Sequence, residues 1–230
     1  MTFYDDLTKA LRAALMMATR GYIYGITFEV AKERMEPIGL KWAEAFGTGL
    51  PPWKRHQRKL NKLPNAWACA MPVPGSPGRV RLLLMRTEAD LDALEPGSPW
   101  RREKWQPWQR LEIGDFVLAV DQRPRGDRAM TIKLSPRCVR GLERYWRSLA
   151  DVGNWDALLR DVRGAVRFYP MFGGVRRQLR RLLRGYAKLY TKKTGNEWPG
   201  PNPDQLPVIL KFDECAAIGS SRDQARRELA

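Results

Sequence analysis

Two neighbouring segments in the middle of the chain alternate between apolar and polar side chains. The apolar positions are Phe116, Leu118, Val120, Met130, Ile132 and Leu134. An apolar side chain at every second position is typical of a strand with one buried face. The two segments therefore predict an antiparallel hairpin whose six apolar side chains line one face of a sheet. A second hairpin is predicted earlier, where strand-like segments over 67–73 and 79–86 flank the turn sequence PGSPG.

Apolar residues three and four positions apart indicate helices in other parts of the chain. The predicted helices cover residues 4–18, 40–46, 88–94, 136–149, 154–162 and 175–193, and a further strand covers 22–30. Thr87 is expected to cap the third helix. Ser135 followed by Pro136 marks the start of the fourth, because a hydroxyl cap and a proline at the first helical position suit a helix N-terminus. Gly195 is placed to end the last helix.

This order of elements predicts an α+β fold. The expected architecture is a small antiparallel sheet with hairpins and with helices on one side, followed by a mainly helical, basic C-terminal half. It is compatible with a ferredoxin-like or a winged-helix-like fold, as an analogy at the level of fold alone. The expected regions are an α+β region over 1–134, a basic helical region packed on it over 135–200, and a partly extended or disordered tail over 201–230.

Electric charge is distributed very unevenly along the chain. Its 230 residues include 41 Lys and Arg against 25 Asp and Glu. Residues 122–193 hold 19 basic and 5 acidic side chains, a net charge of +14, whereas residues 1–121 carry +4 and residues 194–230 carry −2. Such an asymmetry favours a surface that meets a polyanion.

The basic side chains of two predicted helices recur on the side opposite the apolar residues. In the helix over 136–149 they are Arg137, Arg140, Arg144 and Arg147, which fall within a sector of roughly 80°. In the helix over 175–193 they are Arg176, Arg177, Arg180, Arg181, Arg184, Lys188 and Lys192, and no acidic residue interrupts them. Like charges at i,i+4 cost roughly 0.2–0.5 kcal/mol per pair. We therefore expect both basic sides to be exposed on one positive surface that meets an anionic partner, and the planar guanidinium favours phosphate.

Three further features suggest contacts with nucleic acid. The tip of the central hairpin carries Arg123, Arg125 and Arg128, and a basic tip can follow a phosphate backbone. Gly173 and Gly174 allow backbone N–H groups to approach a phosphate at a helix N-terminus. Trp100, Trp105 and Trp108 stand among basic residues. They either stack on single-stranded bases or anchor a long loop on the core.

Residues for enzymatic chemistry are sparse. His56 is the only histidine, and Cys69, Cys138 and Cys215 lack the spacing of metal ligands. No glycine-rich phosphate loop ending in Lys-Ser/Thr occurs, so no cofactor or metal is expected. The odd, widely spaced cysteines favour a cytoplasmic protein. No apolar run of about 18 residues is present, so no membrane span is expected.

The sequence as a whole favours a nucleic-acid-binding protein, for DNA or RNA, that grips phosphates and carries out no reaction. One alternative is a metal-independent nucleic-acid-processing enzyme, such as an endoribonuclease with His56 as general acid or base. A second alternative is an interaction module for an acidic protein. An anionic membrane surface, or a basic protein with no dedicated partner, also accounts for the charge.

Overall fold

The structure is a computed structural model that describes residues 1–122 and 128–207, without the side chains of Gln122 and Arg128. The predictions for Arg123, Arg125 and the side chain of Arg128 lie outside the described residues. The same holds for the predicted tail from residue 208 onward.

The first half of the chain contains both helices and strands, and long helices make up most of the second half. The strands are β1 (Thr2–Phe3), β2 (Tyr22–Ala31), β3 (Ala66–Val73), β4 (Ser76–Thr87), β5 (Gln106–Pro107), β6 (Glu112–Ile113), β7 (Phe116–Gln122) and β8 (Arg128–Leu134). The helices are α1 (Leu7–Thr19), α2 (Met35–Phe46), α3 (Pro52–Leu60), α4 (Pro99–Arg102), α5 (Pro136–Asp151), α6 (Trp155–Phe168) and α7 (Gly173–Thr194). The α+β class predicted from the sequence is confirmed.

The strands form two sheets. The larger sheet has the order β1-β3-β4-β2-β5, in which only the short pairing of β1 with β3 is parallel. The smaller sheet is antiparallel, with the order β6-β7-β8. Both predicted hairpins are present, as β3-β4 and β7-β8.

The hairpin of β7 and β8 places the six apolar side chains on one face, as predicted. Phe116 pairs with Leu134, Leu118 with Ile132, and Val120 with Met130, so the six side chains share one face. The first four are at most 3% exposed and Met130 packs against the core, whereas Val120 is 44% exposed. Burial therefore decreases along the hairpin from the Phe116–Leu134 pair to the Val120–Met130 pair.

The larger sheet is covered on both faces, where the sequence had predicted helices on one side. One core cluster joins α1 and one face of β3 and β4 to the smaller sheet and to α5, α6 and α7. A second cluster covers the opposite face of β3 and β4, with Trp42, Phe46 and Trp100. Alternate residues of β4, such as Leu82 and Leu83, therefore enter different clusters, and both are fully buried.

The predicted helix over 88–94 is wrong, because these residues form turns. Strand β4 continues to Thr87, whose hydroxyl accepts a hydrogen bond from the backbone N–H of Asn65 and does not cap a helix. The side chain of Asp90 then accepts from the backbone N–H of Asp92 and of Ala93, which closes a turn.

The ends of the two basic helices follow the predicted signals. Ser135 accepts a hydrogen bond from the N–H of Cys138 at the start of α5, with Pro136 in the first turn. Gly195 ends α7 in the left-handed conformation, with φ of 73°. Helix α6 extends to Phe168, six positions beyond the predicted end at Val162.

The second residue after the end of helix α3, Lys62, has an unusual backbone conformation. Lys62 has φ of 55° and is the only described non-glycine residue with positive φ. The N–H groups of Lys62 and Leu63 donate to the carbonyls of Lys59 and Arg58, which is the Schellman pattern that normally places glycine at the left-handed residue. A side chain in this conformation costs roughly 1–2 kcal/mol.

Gly174 packs directly against strand β8. Its N–H donates to the Thr131 hydroxyl, and an added Cβ would lie 2.4 Å from the Ile132 carbonyl oxygen. This N–H is therefore occupied inside the protein, and the predicted role of Gly174 in phosphate binding is wrong. Close packing against backbone explains the glycine.

We expect Gly174→Ala to lower the free energy of unfolding by about 1–3 kcal/mol, because the added methyl must push α7 away from β8. Chemical denaturation measures the change. Gly185→Ala is the control, since an added Cβ there meets nothing within 4 Å and alanine favours a helix. Equal stability of the two variants would contradict the tight contact at Gly174.

Candidate nucleic-acid interface

Helix α5 is anchored through its apolar side. Trp146 is fully buried, and its indole N–H donates to the Asp161 carboxylate of α6 at 2.5 Å. The ring also makes an edge contact with Tyr186 of α7, with 5.6 Å between centroids. The Tyr186 hydroxyl in turn donates to the Glu143 carbonyl. These contacts fix the rotation of α5 relative to α6 and α7.

This rotation turns the basic side of α5 outward. Arg137, Arg140, Arg144 and Arg147 are all exposed, and none of them makes an ion pair within the described residues. We call these four residues the α5 arginine stripe. From its first to its last residue the stripe extends about 15 Å, at about 1.5 Å per residue.

The surroundings of the stripe include two residues that the sequence analysis did not single out. Tyr145 borders the stripe and is 50% exposed, so its ring is accessible for stacking. Asp151 follows Arg147 by one helical turn on the same face and is exposed. Both residues could have been found from the sequence, because a helical projection at 100° per residue places each of them beside the arginines.

The predicted basic residues of α7 differ in exposure to solvent, and five of the seven are exposed. Arg177, Arg181, Arg184, Lys188 and Lys192 are exposed, as expected.

Two other arginines of α7, Arg176 and Arg180, are only half-exposed. At 100° per residue they lie beside the buried Leu183, so the core covers part of each side chain. The Nε of Arg176 is buried without a hydrogen-bond partner among the described residues.

Acidic residues from other elements also neutralise part of α7. Asp121 of β7 pairs with Arg177, Glu143 of α5 lies 3.8 Å from Arg181, and Asp204 pairs with both Arg180 and Arg184. Counting acidic residues only within α7, as in the sequence analysis, therefore overestimates the number of unpaired basic residues on this helix. Among the described residues, α5 carries the larger set of unpaired arginines.

Arg177 is expected to contribute more to stability than Arg181. The Asp121 side chain is only 12% exposed and is held by Arg177 and Lys133, so Arg177→Gln leaves a largely buried carboxylate with one cation. We expect a loss of about 1 kcal/mol in the free energy of unfolding. Arg181→Gln, whose side chain is 78% exposed, is the control and should change it by less than about 0.5 kcal/mol. Urea denaturation compares the two, and equal effects would contradict the structural role of the Asp121 pair.

A cleft between the two helices joins their basic sides. It has a volume of ≈ 460 Å³ and is lined by Glu143, Arg147 and Asp151 of α5 and by Arg181 of α7, with Tyr186 and Leu189 contributing apolar surface. The α5 arginine stripe and the exposed side of α7 therefore meet at this cleft.

The three tryptophans predicted as possible stacking residues belong to the core. Trp100 and Trp108 are 5% and 8% exposed, which leaves no free ring face for a base. Trp105 is half-buried, donates its indole N–H to the Trp100 carbonyl, and packs on Phe46 and on the guanidinium of Arg86. The interpretation as loop anchors fits all three.

A second basic cleft is formed by residues from the first half of the chain. It has a volume of ≈ 370 Å³ and is lined by charged residues of α3, by the turn after α1 and by the residue after β4. Its charged and imidazole side chains are Arg20, Arg55, His56, Lys59, Lys62 and Glu88. The fold adds Arg20 and Glu88 to the basic segment that contains His56, a juxtaposition that spacing along the sequence does not reveal.

The two described thiols are not placed for nucleophilic chemistry. Burial raises the pKa of Cys69, and burial also raises the pKa of Cys138, which contacts the Tyr169 hydroxyl at 3.3 Å. Both thiols therefore stay protonated at neutral pH. Within the described residues there is no cluster of three His, Cys, Asp or Glu side chains that could hold a metal. No helix in this part of the chain is both long and apolar enough to cross a membrane.

No protein-family model, no curated protein and no solved structure matches the chain.

Proposed function

We propose that this protein binds nucleic acid through a surface formed by the α5 arginine stripe and the exposed basic side of α7. The observation that carries the proposal is that the four α5 arginines are exposed on one side and make no ion pair within the described residues. A row of arginines that make no ion pair costs repulsion in the free protein. A polyanion turns that repulsion into attraction.

The dimensions of the stripe suit a phosphate backbone. Its length of about 15 Å corresponds to about four nucleotide steps, at about 3.4 Å per step along one strand of a duplex. The side chains also present guanidinium groups, which contact phosphate oxygens in a bidentate manner. The cleft between α5 and α7 brings Arg147 beside Arg181, with the carboxylates of Glu143 and Asp151 also in its lining.

The proposed activity is binding without a chemical step. Arginine stays protonated in proteins and offers donors only, so these side chains neutralise phosphates and supply no general base. Replication, transcription control, transfer and ribonucleoprotein assembly are roles that such a grip can serve. We place the protein in the cytoplasm on the basis of its odd, widely spaced cysteines.

The test begins with the purified protein and the nucleic acid that accompanies it. Sensitivity of the co-purifying material to DNase or RNase identifies the polymer. Labelled oligonucleotides, single- and double-stranded, are then mixed with the protein after that material has been removed. We expect them to be bound and recovered intact. Oligonucleotides that are ignored at low salt would contradict the proposal and favour an acidic protein as partner.

A metal-independent nuclease is the second candidate, because His56 lies in a cleft with four basic residues and Glu88. A histidine beside cations that attract phosphate has the ingredients of acid–base cleavage. We nevertheless expect His56→Ala to leave oligonucleotide binding and any cleavage nearly unchanged. No hydrogen bond orients the imidazole within the described residues. A loss of cleavage of about 100-fold or more with binding intact would favour the nuclease.

A further inference from the structure

We propose that the cleft around helix α3 is a second binding site, and that it takes a nucleoside phosphate, either free or at the end of a nucleic-acid strand. The cleft is separate in sequence from α5 and α7. The inference therefore does not depend on the function proposed for the α5–α7 surface.

The charge in the cleft is unbalanced. Arg20, Arg55, Lys59 and Lys62 line it together with a single carboxylate, Glu88. None of these five residues makes an ion pair within the described part of the chain. The sequence also holds no acidic residue between Glu44 and Glu88. Cations brought together from distant parts of the chain and left unpaired mark a site for an anion of several charges.

Helix α3 is held at the cleft by few contacts of its own. None of its residues is buried. Arg58 ties it down by donating to the Pro64 carbonyl and by lying 5.6 Å from the Trp100 ring centroid, and Asn65 donates its side-chain N–H to the Arg55 carbonyl. A short helix with so little burial is marginal alone. Helix α3 therefore contributes little to the core and mainly presents its cationic side chains to the cleft.

The backbone conformation of Lys62 is the most specific evidence for the site. It occupies the left-handed position of a Schellman motif, with φ of 55°, where glycine is normally favoured. The chain keeps a strained lysine at this position, and the lysine side chain lines the cleft. Strained backbone of this kind is found at functional sites. Recognition of an anion gives the lysine side chain a role that glycine could not fill.

The rest of the lining favours a nucleotide over a bare phosphate ion. The cleft volume of ≈ 370 Å³ lies within the range of about 300–1,000 Å³ for small-molecule sites. Tyr22 and Leu63 add apolar surface, and Asn65 and Thr87 add hydrogen-bonding groups. The side-chain oxygen of Asn65 is buried without a partner among the described residues. A sugar or a base can pack on the apolar surface, whereas a bare phosphate ion cannot.

Calorimetric titration of the whole 230-residue chain with ATP, without added divalent metal, tests the proposal. We expect saturable binding that Lys59→Gln and Lys62→Gly each weaken by about tenfold, the effect of one charged contact. Lys62→Gly is also expected to raise the melting temperature, because glycine relieves the left-handed strain. A rise in stability together with a loss of binding separates recognition from a structural role.

Lys54→Gln is the matched control, since Lys54 belongs to α3 but does not line the cleft. We expect it to leave ATP binding unchanged. The proposal is overturned if ATP does not saturate the protein at millimolar concentration. It is also overturned if Lys54→Gln weakens binding as much as Lys59→Gln, or if inorganic phosphate competes as well as ATP.

Two oligonucleotides distinguish the sources of the nucleoside phosphate. One carries a 5′-phosphate and the other a 5′-hydroxyl, and both are titrated into Arg140→Gln/Arg144→Gln, in which the proposed α5 surface is weakened. Tighter binding of the phosphorylated strand, reversed by ATP, supports a strand end. ATP binding with no preference between the two strands supports a free nucleotide. Failure of the α5–α7 proposal leaves the ATP result unaffected, so the two proposals fail separately.

Discussion

Replacement of all four arginines of the α5 stripe by glutamine is expected to abolish most nucleic-acid binding without unfolding the protein. All four side chains are exposed and lack ion pairs within the described residues, so their removal leaves no buried charge unpaired. Each phosphate contact is worth up to about 1 kcal/mol at an exposed site. A total loss of about 2–4 kcal/mol corresponds to an affinity roughly 30- to 700-fold weaker.

The dependence of affinity on salt gives a second readout of the same variant. The slope of log K against log[salt] is about −0.9 per neutralised phosphate on duplex DNA and about −0.7 on a single strand. Loss of four contacts should therefore flatten the slope by about 3 to 4. Because phosphates carry no sequence information, the loss should be similar for unrelated sequences. Fluorescence anisotropy at several salt concentrations measures both quantities.

A control variant separates the stripe from net charge alone. Arg34, Arg102, Lys41 and Lys104 are exposed, lack ion pairs within the described residues, and lie outside α5 and α7. Their replacement by glutamine removes the same total charge. We expect this control to bind nearly as well as the parent. An equal loss in both variants would mean that only net charge matters, and no loss in the stripe variant would mean that the stripe is an ordinary solvated face.

Local patterns predicted the elements that carry the proposed surface. The alternation in β7 and β8 correctly predicted which side chains share a face, because successive side chains of a strand point to opposite faces of the sheet. The apolar positions of α5 likewise gave its rotation, because a buried stripe forces the opposite side outward. Ser135 and Pro136 gave its first turn. In each case the information lies within a few residues of the element that it determines.

Features that depend on contacts between distant segments were not predictable in this way. Asp121 and Asp204 neutralise arginines of α7 from 20 or more positions away, so counting acids within the helix misses them. Thr87 was predicted to cap a helix. It instead belongs to strand β4, where it pairs with Tyr22 of β2 and its hydroxyl accepts a hydrogen bond from the N–H of Asn65. The basic cleft likewise needs Arg20 beside α3, which only the fold provides.

The second large effect is expected in the core beneath the stripe. Trp146→Ala removes a fully buried indole that contacts both Tyr186 and Asp161. We expect a loss of about 3–5 kcal/mol in the free energy of unfolding. For a chain of this size, a loss of that magnitude lowers the melting temperature by roughly 6–20 °C. Thermal and urea denaturation of the purified variant measure the change.

Two further variants show what Trp146 contributes. Trp146→Phe keeps an aromatic ring but removes the donor to the Asp161 carboxylate, and we expect about 1.5–3 kcal/mol of destabilisation from that lost hydrogen bond. Tyr145→Ala is the neighbouring control, because Tyr145 is 50% exposed and its removal should change stability by about 0.5 kcal/mol or less.

The comparison also bears on the binding surface, because burial of Trp146 is what turns the α5 arginines outward. If Trp146→Phe is folded, it should bind nucleic acid like the parent, since the stripe is unchanged. If Trp146→Ala unfolds at the same urea concentration as the parent, the apolar side of α5 does not face the core. The arginine stripe would then lose the packing that fixes its direction, and with it the physical basis for the proposed surface.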